Sequence, residues 1–265
     1  MKLVPRITVG LLFLGLSSSL LALQRSRLPQ YGFGEDDWDP SGSEKAEWAF
    51  ARLRYQNVRD GYRIGGYQRW MIDGPKAERH FVQGVQRLTR LNARSNGQVA
   101  DPGSDDLYNW PWSYAVAVGG WTLAPEQAAR MREYLARGGF LMVDHFHGAA
   151  EWESFLIGMR TVIPDRPIED LDDHDEIFHV LYDLGERFQV PGSQYVRSGR
   201  TYEQDGIEPK WRAIRDAKGR IVVAICHNQH VGDAWQHADD PRYPERFSSM
   251  AYRLGINYSI YALTH

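Results

Sequence analysis

The sequence predicts an α/β fold of three layers with a mostly parallel, doubly wound sheet, and three observations carry that prediction. Residues 114–148 read YAVAVGG, WTLAPEQAARMREYLARGG and FLMVDHFHG, two apolar runs joined by an amphipathic stretch. Two buried strands linked by a helix form a βαβ unit, whose strands must run parallel because the helix carries the chain back across the sheet. Strand and helix patterns also alternate along much of the remaining chain, the order that covers a sheet with helices. Finally, residues 211–214 and 221–225 flank the turn at 216–219 (DAKG), which predicts a C-terminal hairpin before a closing helix.

Taken in order, residues 48–55 (WAFARLRY) alternate apolar and basic positions, as in a strand with one exposed face. Pro75 opens a helix running to about Leu91, with Phe81, Val85 and Leu88 on one face. A short strand at residues 98–100 precedes a loop holding Tyr108, Trp110 and Trp112. Thr122 is the expected N-cap of the next helix, with Pro125 in its first turn. Ala124, Ala128, Met131 and Leu135 share its apolar face, and Gly138 suits the left-handed position that ends it. Residues 140–143 form a continuous apolar run, as in a strand covered on both sides. Trp152, Phe155, Leu156 and Met159 mark a further short helix. Residues 165–202 show no clear period. The last helix spans about residues 245–262, with Met250, Leu254 and Tyr258 on one side.

The chain has 265 residues, 43% hydrophobic and 25% charged, enough for one domain with a substantial core. Its net charge of −3 is spread without basic runs, which argues against nucleic acid as a partner. Lys2 and Arg6 precede an apolar core at residues 7–16, then Ser17–Ser18–Ser19 and Ala22. That is the plan of a secretory signal, or of an uncleaved anchor, over residues 1–23. Residues 24–46 read as a polar linker and residues 47–265 as one α/β domain. The expected setting is periplasmic or otherwise extracytoplasmic, with membrane contact only through the N-terminal segment.

Candidate site residues gather where strands end, because open α/β sheets bind ligands beyond the carboxyl ends of their strands. Gly119 and Gly120 offer backbone N–H groups near a helix start, which can hold an anion or simply permit a tight turn. Asp144, His145 and His147 close the second apolar run. Residues two apart on an extended segment face the same way, so His145 and His147 can form half of a metal site. His174, beside Asp173, and His227 with His230 are the other candidate ligands. No HExxH-type spacing occurs, so a divalent metal enters as the alternative and hydrogen-bonded loop histidines as the simpler reading. The acidic run at Asp170, Asp172, Asp173, Asp175 and Glu176 lacks EF-hand spacing and reads as a solvated loop.

Cys226 is the lone cysteine. It lies next to His227 on a strand, where adjacent residues face opposite ways, and no Gly-x-Cys-x-Gly elbow surrounds it. It reads as a structural thiol. Nine tryptophans and fourteen tyrosines make the chain rich in rings. Tyr62, Tyr67, Trp70, Trp110 and Trp112 either stack on a sugar-like or peptide ligand or complete the core.

Several of these pieces together resemble one bacterial family. They are FARLRY near the start, Trp70 with the helix after Pro75, Leu88–Thr89, the Gly–Gly–helix–RGGFLMVD unit, Asp173–His174, and the closing Arg253, Asn257 and YALT. The family is the domain of unknown function 4159, and the resemblance covers about residues 50–264. It implies a scaffold similar to the class I glutamine amidotransferase-like and flavodoxin-like groups, and it implies no activity and no catalytic residues. The absent cysteine elbow argues against glutaminase chemistry. The expected function is therefore binding of a small ligand or an envelope protein near Gly119, Gly120, Asp144, His145 and His174. The alternative is a metal-assisted hydrolase of an envelope or carbohydrate substrate, which requires His145 or His147 to converge with His174, His227 or His230.

Overall fold

A computed structural model describes residues 45–57 and 68–265. The expected signal segment, most of the expected linker, and Tyr62 and Tyr67 lie outside the described residues. Among the described residues no helix is long and apolar enough to cross a membrane.

The fold is mixed α/β around one mostly parallel seven-stranded sheet. Strands β1 (Ala51–Leu53), β3 (Gln98–Ala100), β4 (Trp112–Val116), β6 (Phe140–Asp144) and β9 (Ile221–His227) run parallel in the order β3-β1-β4-β6-β9. The antiparallel strands β8 (Lys210–Arg215) and β7 (Glu169–Asp170) complete one edge. Two short strands, β2 (Gln56–Asn57) and β5 (Trp121–Thr122), pair separately.

Helices cover both faces. On one face α1 (Lys76–Leu88), α5 (Val231–Gln236) and α6 (Glu245–Thr264) pack on Phe50, Trp112, Tyr114, Phe140, Met142 and Ala224. On the other, α2 (Pro125–Ala136) and α3 (Gly148–Val162) pack on Ala115, Leu141, Val143, Val223 and Ile225. A four-residue helix, α4 (Tyr195–Ser198), lies in the segment of unclear period. The central strands β4, β6 and β9 are buried at every position, which is why their sequences are runs rather than alternations.

Four expectations change at the level of single residues. The strand near the start is only three residues long, and its one basic residue is not exposed. Arg52 is fully buried, ion-paired with Glu78 and donating to the carbonyls of Trp70 and Ile72. Leu88 is 53% exposed, and Val82 joins Phe81 and Val85 on the buried face of α1. Thr122 belongs to β5; Ala124 is the N-cap of α2, and its backbone N–H donates to the Gln127 side chain. Trp112 begins β4 rather than a loop. Trp112 and Trp70 are fully buried, so neither ring is offered to a ligand. The ring-rich composition serves the core: Phe81 stacks on Trp235 at 4.2 Å, and Phe50 meets Trp112 edge-on at 5.1 Å.

Candidate metal centre

Three chain segments deliver the candidate groups beyond the carboxyl ends of β6 and β9 and ahead of α1. Each contains a residue other than glycine in the left-handed region: Asp73 at φ 68°, His145 at φ 60° and Asn228 at φ 63°. Left-handed backbone costs a residue with a Cβ roughly 1–3 kcal/mol and persists where the surroundings impose it. After β6 the chain turns at His145, passes the buried Phe146, and places His147 as the N-cap residue of α3. After β9 it turns at Asn228 and places His230 as the N-cap residue of α5.

The result is a cluster of His145, His147 and His230 in which one nitrogen of each ring lies within 4.8 Å of the others. The His230 ring sits 4.2 Å from both the His145 and the His147 rings, centroid to centroid. His147 and His230 are each 2% exposed. Among the described residues neither nitrogen of His147 has a hydrogen-bond partner. Nδ1 of His230 has none either, and its Nε2 has only a long 3.4 Å approach to Glu203 Oε1. His145 differs, because its Nδ1 lies 3.1 Å from Asp73 Oδ2. A carboxylate on one ring nitrogen fixes the ring's orientation and leaves the other, Nε2, to serve as a ligand, the arrangement that supports a metal-ligating histidine.

The electrostatics follow from burial and neighbours. Burial opposes charge on His145, yet the Asp73 carboxylate outweighs it and lifts the imidazole to about 9. His147 has no such partner; burial, and then its histidine neighbours, push its proton affinity far down. It stands ready as a neutral donor. Burial raises Asp144 to about 6, against the pull of the Gly232 N–H and of His145 and His230. Asp144 Oδ2 accepts from Tyr114 Oη at 3.1 Å and from Gly232 N at 2.9 Å. Asp144 therefore ties the end of β6 to the start of α5 and so helps to place His230.

Two glycines make room for this packing. A Cβ at Gly192 would lie 2.7 Å from Asp233 Oδ2 and 3.0 Å from His230 Nδ1. A Cβ at Gly232 would lie 2.3 Å from Tyr114 Oη and 3.1 Å from Asp73 Oδ2.

The other sequence candidates lie elsewhere. His227 has both nitrogens engaged, Nε2 with Gly148 O at 3.1 Å and Nδ1 with Arg212 at 3.3 Å, and its ring stacks on Phe146. His174 is exposed on the acidic loop, where its N–H donates to Asp172. That loop is held by cations, Asp170 by Arg212, Asp173 by Arg187 and Asp175 by Arg215. Gly119 and Gly120 lie in a 3-10 turn at Val118–Gly120, and side chains already fill the space beside them. A Cβ at Gly119 would meet Glu151 at 2.5 Å, and Arg69 lies against Gly120. Burial raises the Cys226 thiol well above its usual range, and the residue is fully buried, as expected of a structural cysteine.

Sequence reasoning missed Asp73, Glu203 and Asp233, which surround the histidines. Asp73 precedes Gly74–Pro75 and Glu203 lies in YEQDG, so both read as ordinary turn residues. Only the fold brings them to the cluster.

Comparison with curated proteins finds no match. The family model described as domain of unknown function (DUF4159) matches residues 49–263. The chain belongs to the DUF4159 family.

Proposed function

We propose that this protein is a metal-dependent hydrolase, with a zinc-like divalent ion held by His145, His147 and His230. One observation carries the reading: a buried pair of imidazoles, His147 and His230, is left almost without hydrogen-bond partners beside a third that Asp73 orients. An orphaned buried polar group costs about 1–3 kcal/mol, whereas a protein-bound zinc ion returns on the order of 10 kcal/mol. A bound ion thus outweighs the cost of several such groups. Imidazoles suit zinc and neighbouring transition metals rather than calcium or magnesium, and binding would displace the proton that Asp73 favours on His145. Three protein ligands leave a position for water, which the ion acidifies into a nucleophile near neutral pH.

The wider setting belongs to the same proposal. Counted along the chain, the parallel strands stand in the order 2-1-3-4-5, which supports a flavodoxin-like or class I glutamine amidotransferase-like scaffold, doubly wound. The N-terminal pattern of Lys2, Arg6 and Ala22 supports an extracytoplasmic location, reached through a cleaved signal or held by an uncleaved anchor, and a substrate of the cell envelope.

The test is elemental analysis of the full chain, paired with hydrolysis of activated esters before and after chelation. We expect near-stoichiometric metal that a His145→Ala/His147→Ala double variant loses, and hydrolysis that zinc restores. A folded wild-type chain that takes up no transition metal sinks the proposal and favours a metal-free ligand site.

A further inference from the structure

We infer that the site acts on an ester or amide that carries a positively charged group beside the bond to be cleaved, and that Glu203 holds that group. The inference rests on the three-histidine reading above and names the class of substrate. Four carboxylates surround the imidazoles. Asp73 Oδ2 lies 3.1 Å from His145 Nδ1, and Glu203 Oε1 lies 3.4 Å from His230 Nε2. Asp144 accepts from Tyr114 and the Gly232 N–H, and Asp233 accepts from the Ser193 N–H and meets His237. Among the described residues no lysine or arginine pairs with any of the four. Arg52, over the Tyr114 ring, pairs with Glu78, and Arg69 pairs with Glu151, which accepts from the His147 N–H. Phosphate and carboxylate groups are held by such cations, and these residues offer none.

Exposure singles out Glu203. Asp144 is fully buried, and the side chains of Asp73 and Asp233 are 6% and 9% exposed, against 40% for Glu203. The charge of the ion has to be counted with theirs. Asp73 and Asp144 offset its two charges from the buried side, Asp73 all the more once His145 has given up its proton. Asp233 has His237 as its own counter-charge. The carboxylate at the solvent edge is then the charge that a substrate meets. Metal-bound His230 is neutral, so no imidazolium competes for it.

The turn that carries Glu203 is fixed to the site through contacts other than the one with His230. The Gly206 N–H donates to Glu203 O at 2.9 Å and closes the turn. Asp205 accepts from the Ala149 N–H with both carboxylate oxygens at 3.2 Å, at the start of α3 just after His147. A Cβ at Gly148 would run into Asp205. The Gln189 amide donates to Gly206 O at 2.9 Å and to Asn228 O at 3.0 Å, two residues before His230. One turn thus stands against both segments that deliver the histidines of β6 and β9, which keeps Glu203 beside the ion whatever its carboxylate binds.

The experiment loads the full-length wild type with zinc and measures, by calorimetric titration, the binding of glycine, propionic and malonic hydroxamates. The hydroxamate group seats on the ion, and the three acyl chains end in an ammonium, a methyl and a carboxylate at the same position. We expect the ammonium compound to bind at least about tenfold more tightly than the methyl one and the carboxylate compound to bind most weakly, with the spread narrowing as salt rises. Zinc-loaded Glu203→Gln should bring the ammonium and methyl affinities together, and Glu203→Asp should keep part of the gap. Equal binding of the three by wild type, a preference for the carboxylate, or an ammonium preference that survives Glu203→Gln overturns the inference and leaves the metal site standing. A Glu203→Gln chain that loses its zinc also overturns it, because the carboxylate would then serve the ion. A wild type that takes up no zinc, or whose zinc no hydroxamate reaches, overturns both readings.

Discussion

The two ends of the central strands β6 and β9 solve the same problem in opposite ways. At the amino end, backbone carbonyls of the α2–β6 turn are met by Arg220, which donates to Gly138 O at 2.8 Å, Gly139 O at 3.2 Å and Leu135 O at 3.4 Å, and pairs with Asp216. A cavity of about 500 Å³ lies there, and apart from Lys218 its polar side chains have partners: Arg137 with Glu133, Arg215 with Glu169 and Asp175, and His265 with Glu176. At the carboxyl end, two buried imidazoles stand almost without partners and three residues sit in left-handed backbone. Depth alone therefore does not mark a site. Closed networks belong to stability, and open ones point to something that arrives later.

The largest effect should come from exchanging one residue at each end. His147→Leu removes a proposed ligand, so metal affinity should fall by more than about a hundredfold, beyond the range typical of supporting residues. The metal-free variant should unfold at the wild-type midpoint or above it, because the substitution deletes orphaned polar atoms from a buried site. Arg220→Ala should do the reverse. It removes the guanidinium that Gly138 O, Gly139 O and Asp216 Oδ2 share and should cost about 1–3 kcal/mol of stability, with metal binding unchanged. Denaturant unfolding and metal titration of the two variants check both halves. A His147→Leu chain that loses stability like Arg220→Ala would erase the distinction.

A smaller effect separates a ligand from its support. Asp73 touches His145, not the space among the rings. Asp73→Asn keeps the shape but removes the charge that orients and enriches that imidazole, and should weaken metal binding by roughly 10–100-fold. Calorimetric titration of the metal-stripped chain measures it. An unchanged affinity would mean that the Asp73–His145 pair serves only to hold the loop before α1.

How much of this was legible in the sequence depends on the range of the interaction. The βαβ unit and the hairpin were readable because period and turn chemistry are local; Asp216, Gly219 and the runs at β6 and β9 declare themselves. Arg52 misled because its partner Glu78 lies 26 residues away, and an alternating pattern cannot show which face a helix will cover. At the site, strand geometry pairs His145 with His147 on the premise of an extended segment; the strand in fact ends at Asp144 and the chain turns at His145, so the two rings meet through that left-handed turn instead. Choosing His230 over His174 and His227 needed the fold, since it depends on the left-handed turn at Asn228 and on a glycine at 192. Asp73 and Glu203 were hidden for the same reason: a carboxylate in a turn looks alike whether it caps a helix or meets a buried imidazole.

His227 tests the comparison at its finest grain, being a histidine at the open end that behaves as those at the closed end do. Burial lowers it to about 4, with Arg212 adding to the effect and the Gly148 carbonyl, Glu151 and Asp205 opposing it. Its folded proton affinity is thus below the unfolded value near 6.5. The unfolded chain binds the extra proton first, so the stability due to neutral His227 is fully present above about pH 6.5 and is lost as pH falls toward 4. One proton corresponds to a slope below about 1.4 kcal/mol per pH unit across that window. His227→Gln, which cannot titrate, should flatten the fall in unfolding free energy between pH 6.5 and 4 relative to wild type, measured on metal-free protein so that the neighbouring cluster contributes equally to both. Parallel curves would mean that Arg212 and the stacked Phe146 and Trp152 rings leave the imidazole free to charge in the folded state, and His227 would then be a surface group rather than part of the packed wall beneath the site.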